Sequence, residues 1–493
     1  MSLTYKHGTY GEFAASIAGV ATQSGTLAVY VGTAPVNLIR GYDDADAVNS
    51  PVLLKDFAAV KRYMGYSEDW ATFSLCEAFK AHFDNASGNA GPIIAINILD
   101  PDTHRKLEQT TTALAFVNGR ATLKSDKIIL DTLTLADKVE GTDFSVDYDF
   151  SKSQVIIDSI GSTKITGSVN ASYYEVDASS IDEDDIIGGV TAKGVYTGLG
   201  VVSLVYQAHN VIPNLIVAPG WSEKPKVYEA MITAGTKING HWDAFVLADL
   251  PLTDSSSAID NVDDAIEWAE DNGYNNERSK TFWPQFQDAQ GKTFHGSTLC
   301  AWRMQLVDSE HNGIPMETPS NKAVPIAKQY FGASSTNRGF DQTRANDLNE
   351  KGISTAVYWG GQWVLWGGHT AGYTFGAVVD RRRIFDNNIR MMMYITNRFQ
   401  QKWALTIDEP MTRALADTIK NREQEDADAL VAVGALIGTP VVSFEETTNS
   451  TDELVEGNFV WDFSATPTPQ FKSGTMRVAY TDAGFTTYFG EEA

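Results

Sequence analysis

Asp380-Arg381-Arg382-Arg383 opens the stretch that organises this chain, and Phe385, Ile389, Met392, Ile395, Phe399 and Trp403 follow it. Spacings of three and four put these six side chains on one stripe, which predicts a long helix. Asp408-Glu409-Pro410 then stops and restarts the chain, because proline suits a first helical turn and acids suit a helix N-terminus. Met411, Leu415 and Ile419 begin a second stripe, which two glycines and Pro440 end. β-type sequence follows in two pieces, Val441-Val442-Ser443-Phe444 and Phe459-Val460-Trp461-Asp462-Phe463. A helix pair followed by a two-stranded unit is expected, with Val442, Phe444, Val460, Trp461 and Phe463 in the sheet. Beyond Pro469 one alternating run remains, Met476-Arg477-Val478-Ala479-Tyr480, with nothing left in sequence to pair it.

Upstream, residues 198–379 alternate strand and helix signals. Asn214-Leu215-Ile216-Val217-Ala218 ends in Pro219-Gly220, and a helix is expected over residues 222–234. A strand over 244–248 and helices over 260–270 and 342–350 follow, with a hairpin over 356–366. Residues 281–286 and 297–302 also read as strands. The same α/β alternation occupies residues 25–100, from Gly25-Thr26-Leu27-Ala28-Val29-Tyr30-Val31-Gly32-Thr33-Ala34 through helices over 55–63 and 70–83 to a buried strand over 93–98. Between 101 and 197 the character changes to short alternating runs such as Ala121-Thr122-Leu123-Lys124, Lys127-Ile128-Ile129-Leu130 and Gln154-Val155-Ile156-Ile157. That pattern predicts an inserted β-rich domain whose exit is marked by Asp182-Glu183-Asp184-Asp185 and Gly188-Gly189. Residues 1–24 carry only Tyr10, Phe13, Ile17 and Val20 as spaced hydrophobes. So little apolar surface is compatible with a tail, or with an arm that orders against something else.

The 493 residues carry a formal charge of −25, with 43% hydrophobic and 20% charged residues. This is ordinary for a folded multidomain chain, and it argues against a general nucleic-acid binder, which needs a basic surface. Cys76 and Cys300 are distant and lack any CxxC spacing, so no disulfide framework is expected. No stretch reaches the roughly 20 apolar residues of a membrane span, and no signal-peptide core follows Met1.

The order of long helix, Glu409-Pro410 restart, glycine-ended second helix, strands, Thr466-Pro467-Thr468-Pro469 and terminal strand resembles the C-terminal domain of contractile tail sheath proteins. Those proteins belong to contractile-tailed phages and phage-derived injection particles. The family often reads Phe-Glu-Pro-Asn-Asp at the restart, where this chain has Asp408-Glu409-Pro410-Met411-Thr412. Val31-Gly32-Thr33-Ala34 is similar to the end of the family's first core strand, and Ala218-Pro219-Gly220 to the end of another. Thr318-Pro319-Ser320-Asn321 stands where the family usually has Ala-Pro-Ala-Asn. The resemblance covers nearly the whole chain outside 101–197.

It implies an α+β and α/β multidomain fold: a central α/β part over 25–100 and 198–379, an inserted β-rich surface domain over 101–197, and a C-terminal helix-pair and sheet domain over 380–469. Extended arms over 1–24 and 470–493 would each lend a strand to a neighbour, through Tyr10, Phe13, Ile17 and Val20 and through Met476, Val478 and Tyr480. The acceptor sheet would hold Val442, Phe444, Val460, Trp461 and Phe463. The implied function is a contractile sheath subunit, stacked as hexameric rings around an inner tube, with baseplate and tail terminator proteins as further partners. It would be assembled in the bacterial host's cytoplasm and reside in a virion tail or injection particle, without a cofactor, nucleic acid or membrane insertion. Arg381, Arg382, Arg383 and Arg390 are the densest positive charge, and two readings stay open for them: pairing with the chain's own carboxylates, or docking onto an acidic tube or neighbouring ring.

The competing reading is a multidomain hydrolase with a β insertion. Asp100 and Asp249 each close a buried strand, where α/β enzymes often place catalytic acids. No histidine or second acid stands at a defined spacing, so turn or helix-cap roles fit them better. Gly291-Lys292-Thr293 is similar to the end of a phosphate loop, but Phe286 occupies the position of the first glycine. The eight histidines show no HxxxH or HExxH order, and no serine sits in GxSxG. Asn85, Asn170 and Asn449 fit the glycosylation triplet, a match that recurs by chance.

Overall fold

The computed structural model describes residues 25–42, 47–255, 257–333, 335, 340–378 and 380–489. Its centre is an eight-stranded sheet, built in the spatial order Pro51–Leu54, Ile93–Asn97, Ala28–Gly32, Leu215–Val217, Phe245–Asp249, Ser279–Phe282, Ile353–Trp359, Gln362–Trp366. The six inner strands run parallel, and one antiparallel strand closes each side. The strands Ala28–Gly32, Ile93–Asn97 and Phe245–Asp249 are buried at every position, as covering both faces of a parallel sheet requires. This explains why their sequences read as continuous apolar runs. Helices of the central part include Phe57–Tyr63, Leu75–Phe83, Pro225–Ala234, Val262–Asp271, Gly296–Glu310 and Gln342–Asn349. Local caps set several starts: Asp56 accepts from Ala59 N at 2.8 Å and Asn261 from Asp264 N at 3.0 Å.

The segment read as a strand over 297–302 is part of the Gly296–Glu310 helix. Ser297, Thr298, Leu299, Cys300, Ala301, Trp302 and Met304 are all buried, so this helix is covered nearly all round. A helix without a wet face has no amphipathic period, and a short apolar run within it cannot be told from a strand.

Between 101 and 197 two three-stranded sheets form. One orders Thr110–Phe116, Gly167–Tyr173, Thr134–Leu135, and the other Arg120–Leu123, Gln154–Ser159, Phe144–Asp149. Phe144, Val155, Ile157 and Ala171 are among the buried side chains between them. The run from Lys127 to Leu130 makes only a single bridge, Ile128 to Glu175, before a 3-10 turn over Leu130–Thr132. The insertion is fastened to the central part by Asn37, whose amide donates to the Asp126 and Ile128 carbonyls at 3.0 and 2.9 Å. The acidic run at its exit is a helix start: Asp182 and Asp185 form a reciprocal capping box for Glu183–Ile187.

The C-terminal part begins with the helices Asp386–Lys402 and Arg413–Ala432. Thr412 caps the second, accepting from Leu415 N at 3.2 Å. The strands Leu436–Ser443 and Asp462–Pro467 then pair antiparallel, with Val442 opposite Phe463 and a register shift between Ile437 and Val441 around Pro440. Val442 and Phe463 lie in this sheet; Phe444, Val460 and Trp461 lie just beyond the strand ends. There Phe444, Phe459 and Trp461 cluster, with the Phe444 and Trp461 rings 5.2 Å apart. The first helix also buries a different face from the one its apolar stripe predicts: Asp386, Asn387, Arg390, Met391, Asn397 and Gln401 are inward, and Met392 is 38% exposed. Among the described residues no helix is long and apolar enough to cross a membrane.

Candidate assembly interface

The two C-terminal strands pair only with each other among the described residues, so each has an outer edge. The outer edge of Leu436–Ser443 is blunted from within. Pro440 has no N–H, and Gln424 of the neighbouring helix both donates to Pro440 O at 3.1 Å and accepts from Val442 N at 3.0 Å. Around the sheet, Ile437 (44%), Val441 (52%) and Val460 (44%) are exposed branched side chains.

Beyond Gln470 the chain runs without helix or strand to Thr481 and then makes a 3-10 turn over Ala483–Phe489. Met476, Val478 and Tyr480 are 85, 85 and 84% exposed. Three alternating apolar side chains on one extended segment cost hydrophobic free energy while they stay wet. Tyr10, Phe13, Ile17 and Val20 lie outside the described residues.

Arg381–Arg383 form a 3-10 turn capped by Asp380. Arg382 donates to both Asp380 oxygens at 2.8 and 3.0 Å, and its hydrogen bonds hold the Asp380 carboxyl below its usual pKa. Arg383 pairs with Glu277 at 2.6 Å. These three arginines are exposed, whereas Arg390 is not. Arg390 is buried against Asp308 in an ion pair whose side chains are 4 and 0% exposed, and Thr26 hydrogen-bonds the same carboxylate. Its charge is consumed inside the subunit, so it forms no surface with the other three.

A second buried pair had no local signal in sequence, because its partners are 106 residues apart: Lys280 Nζ lies 2.7 Å from Asp386 Oδ2, with 1 and 0% exposure. Lys280 also donates to Gly367 O and His369 O at 2.6 and 3.2 Å. Asp386 and Arg390 are one turn apart, so the start of the long helix is bolted to the central sheet and to the Gly296–Glu310 helix.

The places a hydrolase would use are otherwise occupied. Asp100 closes a turn, accepting from Asp102 N at 2.9 Å and Thr103 Oγ1 at 3.1 Å. Asp249 caps the Gly296–Glu310 helix, accepting from Ser297 N at 2.9 Å and from Ser297 Oγ. Burial raises its pKa to about 6. His295 stands beside it, with Nδ1 2.6 Å from Glu77 and Nε2 3.2 Å from Glu223. Burial opposes its charging, but Glu77, Glu223 and Asp249 together hold its pKa well above the usual value. Ser297 faces a carboxylate and not the imidazole, and it is fully buried, so no serine nucleophile is formed. Lys292 of the phosphate-loop look-alike pairs with Glu68 at 2.6 Å, and Phe286 is buried between strands. Among the described residues no cluster of histidine, cysteine and acids has metal-binding geometry.

No family model matches the chain. It is 23% identical over 497 aligned positions to the tail sheath protein of Burkholderia phage BcepMu, covering 93% of both chains. In fold it is similar to a chain of the anti-feeding prophage (AFP) baseplate, with a TM-score of 0.54, 12% identity, and coverage of 97% of this chain and 100% of that one. A chain of the contracted PVC sheath complex, an extracellular contractile injection system, gives a TM-score of 0.53 with 11% identity and covers 98% of this chain and 100% of its own. The relation by sequence and the relation by fold thus agree along nearly the full length, and the proteins this chain resembles are the sheath proteins of contractile tails and injection systems.

Proposed function

We propose that the chain is a structural subunit of a contractile sheath, polymerising as stacked hexameric rings around an inner tube and driving that tube through a target envelope as it contracts. The observation that carries this reading is the two-stranded C-terminal sheet, whose outer edges are unpaired among the described residues, in the same chain as an exposed, apolar, extended segment. In this reading residues 470–493 of one subunit, and residues 1–24 of another, add strands to a neighbour's sheet. A net backbone hydrogen bond contributes about 1 kcal/mol; several per strand, repeated over many subunits, keep the mesh connected while globular faces slide and repack. The inner tube, baseplate and terminator proteins are the remaining partners, and the exposed Arg381–Arg383 turn is the candidate docking element for one of them. Assembly takes place in the bacterial cytoplasm.

Negative-stain electron microscopy of the concentrated full-length protein, and of chains lacking 1–24 or 470–493, tests this. Hollow sixfold tubes or stacked rings are expected from the full chain, and folded but non-polymerising particles from each truncation. Normal tubes from both truncated chains would sink the strand-exchange reading.

A further inference from the structure

The root of the C-terminal segment is gripped far more firmly than its tip. Asn387 Nδ2 donates to Thr468 O at 3.3 Å, and Thr468 Oγ1 donates to Gly434 O, just past the second helix, at 2.6 Å. The Gln470 amide nitrogen then reaches three acceptors: Asn387 Oδ1 at 2.7 Å, Asp386 Oδ1 at 3.0 Å and Gly368 O at 3.3 Å. Gly368 is what lets it seat, because a Cβ there would overlap the Gln470 side chain. Two residues on, Lys472 Nζ sits 5.1 Å from the centre of the Tyr373 ring. That ring stacks on His369 at 3.6 Å and 7°, and His369 stacks on Phe385 at 4.9 Å and 14°. Lys472 N also closes a tight turn onto Gln470 O at 3.1 Å. From Ser473 to Thr481 the backbone has no hydrogen bond of this kind among the described residues, and every residue is exposed.

We infer that the arm's hinge lies at Ser473–Gly474, and that residues up to Lys472 travel with the core, held by the first turn of the Asp386–Lys402 helix and the Phe385-His369-Tyr373 stack. This deepens the proposed sheath function, on which its biological meaning rests. The same helix, one turn further, holds Thr26 at the other end of the chain through Arg390 and Asp308. One element therefore grips the chain both at Thr26 and at Gln470. A pivot there confines the flexible part of a connection to the residues beyond the clasp, so a neighbour's position is set by the clasp's orientation.

Trypsin offers a direct reading, because Lys472 and Arg477 flank the assigned hinge. A protease needs several residues on each side of the scissile bond extended into its cleft, so cleavage at a clasped site tracks the open fraction of the clasp. The unassembled full-length chain is digested and the fragments 473–493 and 478–493 are quantified by mass spectrometry. Cutting after Lys472 is expected to be at least about tenfold slower than after Arg477. In Gln470→Ala, with an unchanged thermal transition, the two rates should approach each other, while Lys472→Arg, which retains a cation over Tyr373, should keep the slow rate. Equal rates at both sites in the unaltered chain, or no response to Gln470→Ala, would overturn the assignment. Digestion uses unassembled chains and does not depend on tube formation, so a failed hinge and a failed sheath reading give separate signatures.

Discussion

Removing the positive partner of the Lys280–Asp386 pair should be among the most damaging conservative-volume changes in the chain. In Lys280→Met, Asp386 keeps Thr318 Oγ1 at 3.0 Å, Gln470 Nε2 at 3.0 Å and Asn387 N at 2.6 Å, but loses its counter-charge in a site that is fully closed to water. Breaking a buried pair by removing one member costs about 3–5 kcal/mol. The carbonyls of Gly367 and His369 lose their donor as well, at about 1 kcal/mol each, while the retained donors to Asp386 offset part of the total. A net loss of about 4 kcal/mol follows for Lys280→Met. The double variant Lys280→Met/Asp386→Asn leaves no stranded charge and should recover about 2 kcal/mol of it. Urea unfolding of the unassembled chain, followed by tryptophan fluorescence with buried Trp283 and Trp302 as reporters, measures both. A single variant within about 1 kcal/mol of the unaltered chain, or a double variant worse than the single, would refute the view that this pair bolts the C-terminal part to the central sheet.

Two further outcomes follow from buried polar groups. His82 is buried as a neutral ring between Tyr30 OH at 2.7 Å and Ala90 O at 2.9 Å, and desolvation lowers its pKa to about 4. The unfolded chain takes up a proton near pH 6.5 that the folded chain refuses, so stability is lost as pH falls from about 6.5 to 4, by about 3 kcal/mol, and His82→Gln should remove that part of the slope in pH-dependent unfolding. Asp249→Ala strands Ser297 N and Oγ at a buried helix start and should cost about 2–4 kcal/mol in the same assay. Polymerisation of its folded fraction should be unimpaired, because Asp249 is distant in role from the assembly edge; loss of polymerisation without loss of stability would revive a functional role for that carboxylate.

Legibility in the sequence followed locality. Strands buried on both faces announce themselves as apolar runs, so Ile93–Asn97 and Phe245–Asp249 were readable to within a residue or so. The Gly296–Glu310 helix failed for the complementary reason, since burial nearly all round erased the period by which a helix is recognised. The stripe at Phe385, Ile389, Met392, Ile395, Phe399 and Trp403 correctly marked a helix but not its inward face. That face is held by charge pairs with Asp308 and Lys280, 82 and 106 residues away, and nothing near Asp386 or Arg390 encodes them. Arg390 consequently grouped with Arg381–Arg383 by sequence proximity, although helix geometry turns it into the core. Pro440 read as a terminator of the second helix, but it sits inside the strand Leu436–Ser443, where an edge position tolerates its missing N–H.

That proline also separates the two edges of the C-terminal sheet. With Val442 N turned outward to Gln424, its partner Phe463 must likewise turn its backbone outward on the other strand, since facing residues of an antiparallel pair share one orientation. Alternation then aims the N–H of Phe463 and Ala465 away from the ladder and that of Ser464 into it. The Leu436–Ser443 edge is obstructed by Pro440 and Gln424, so the Asp462–Pro467 edge is the one suited to receive a strand. Ala465→Pro tests this cleanly: it removes an outward N–H and leaves the existing ladder intact, so folded stability should change by less than about 1 kcal/mol. The added strand would lose a hydrogen bond and meet the pyrrolidine ring at every repeat of the polymer. Tube yield in electron microscopy should collapse for Ala465→Pro, whereas Val442→Pro, which removes only the outward N–H that Gln424 already occupies, should leave tubes from its folded fraction largely intact. The opposite ranking of these two variants would place the receiving edge on Leu436–Ser443 and show that Gln424 is displaced on assembly.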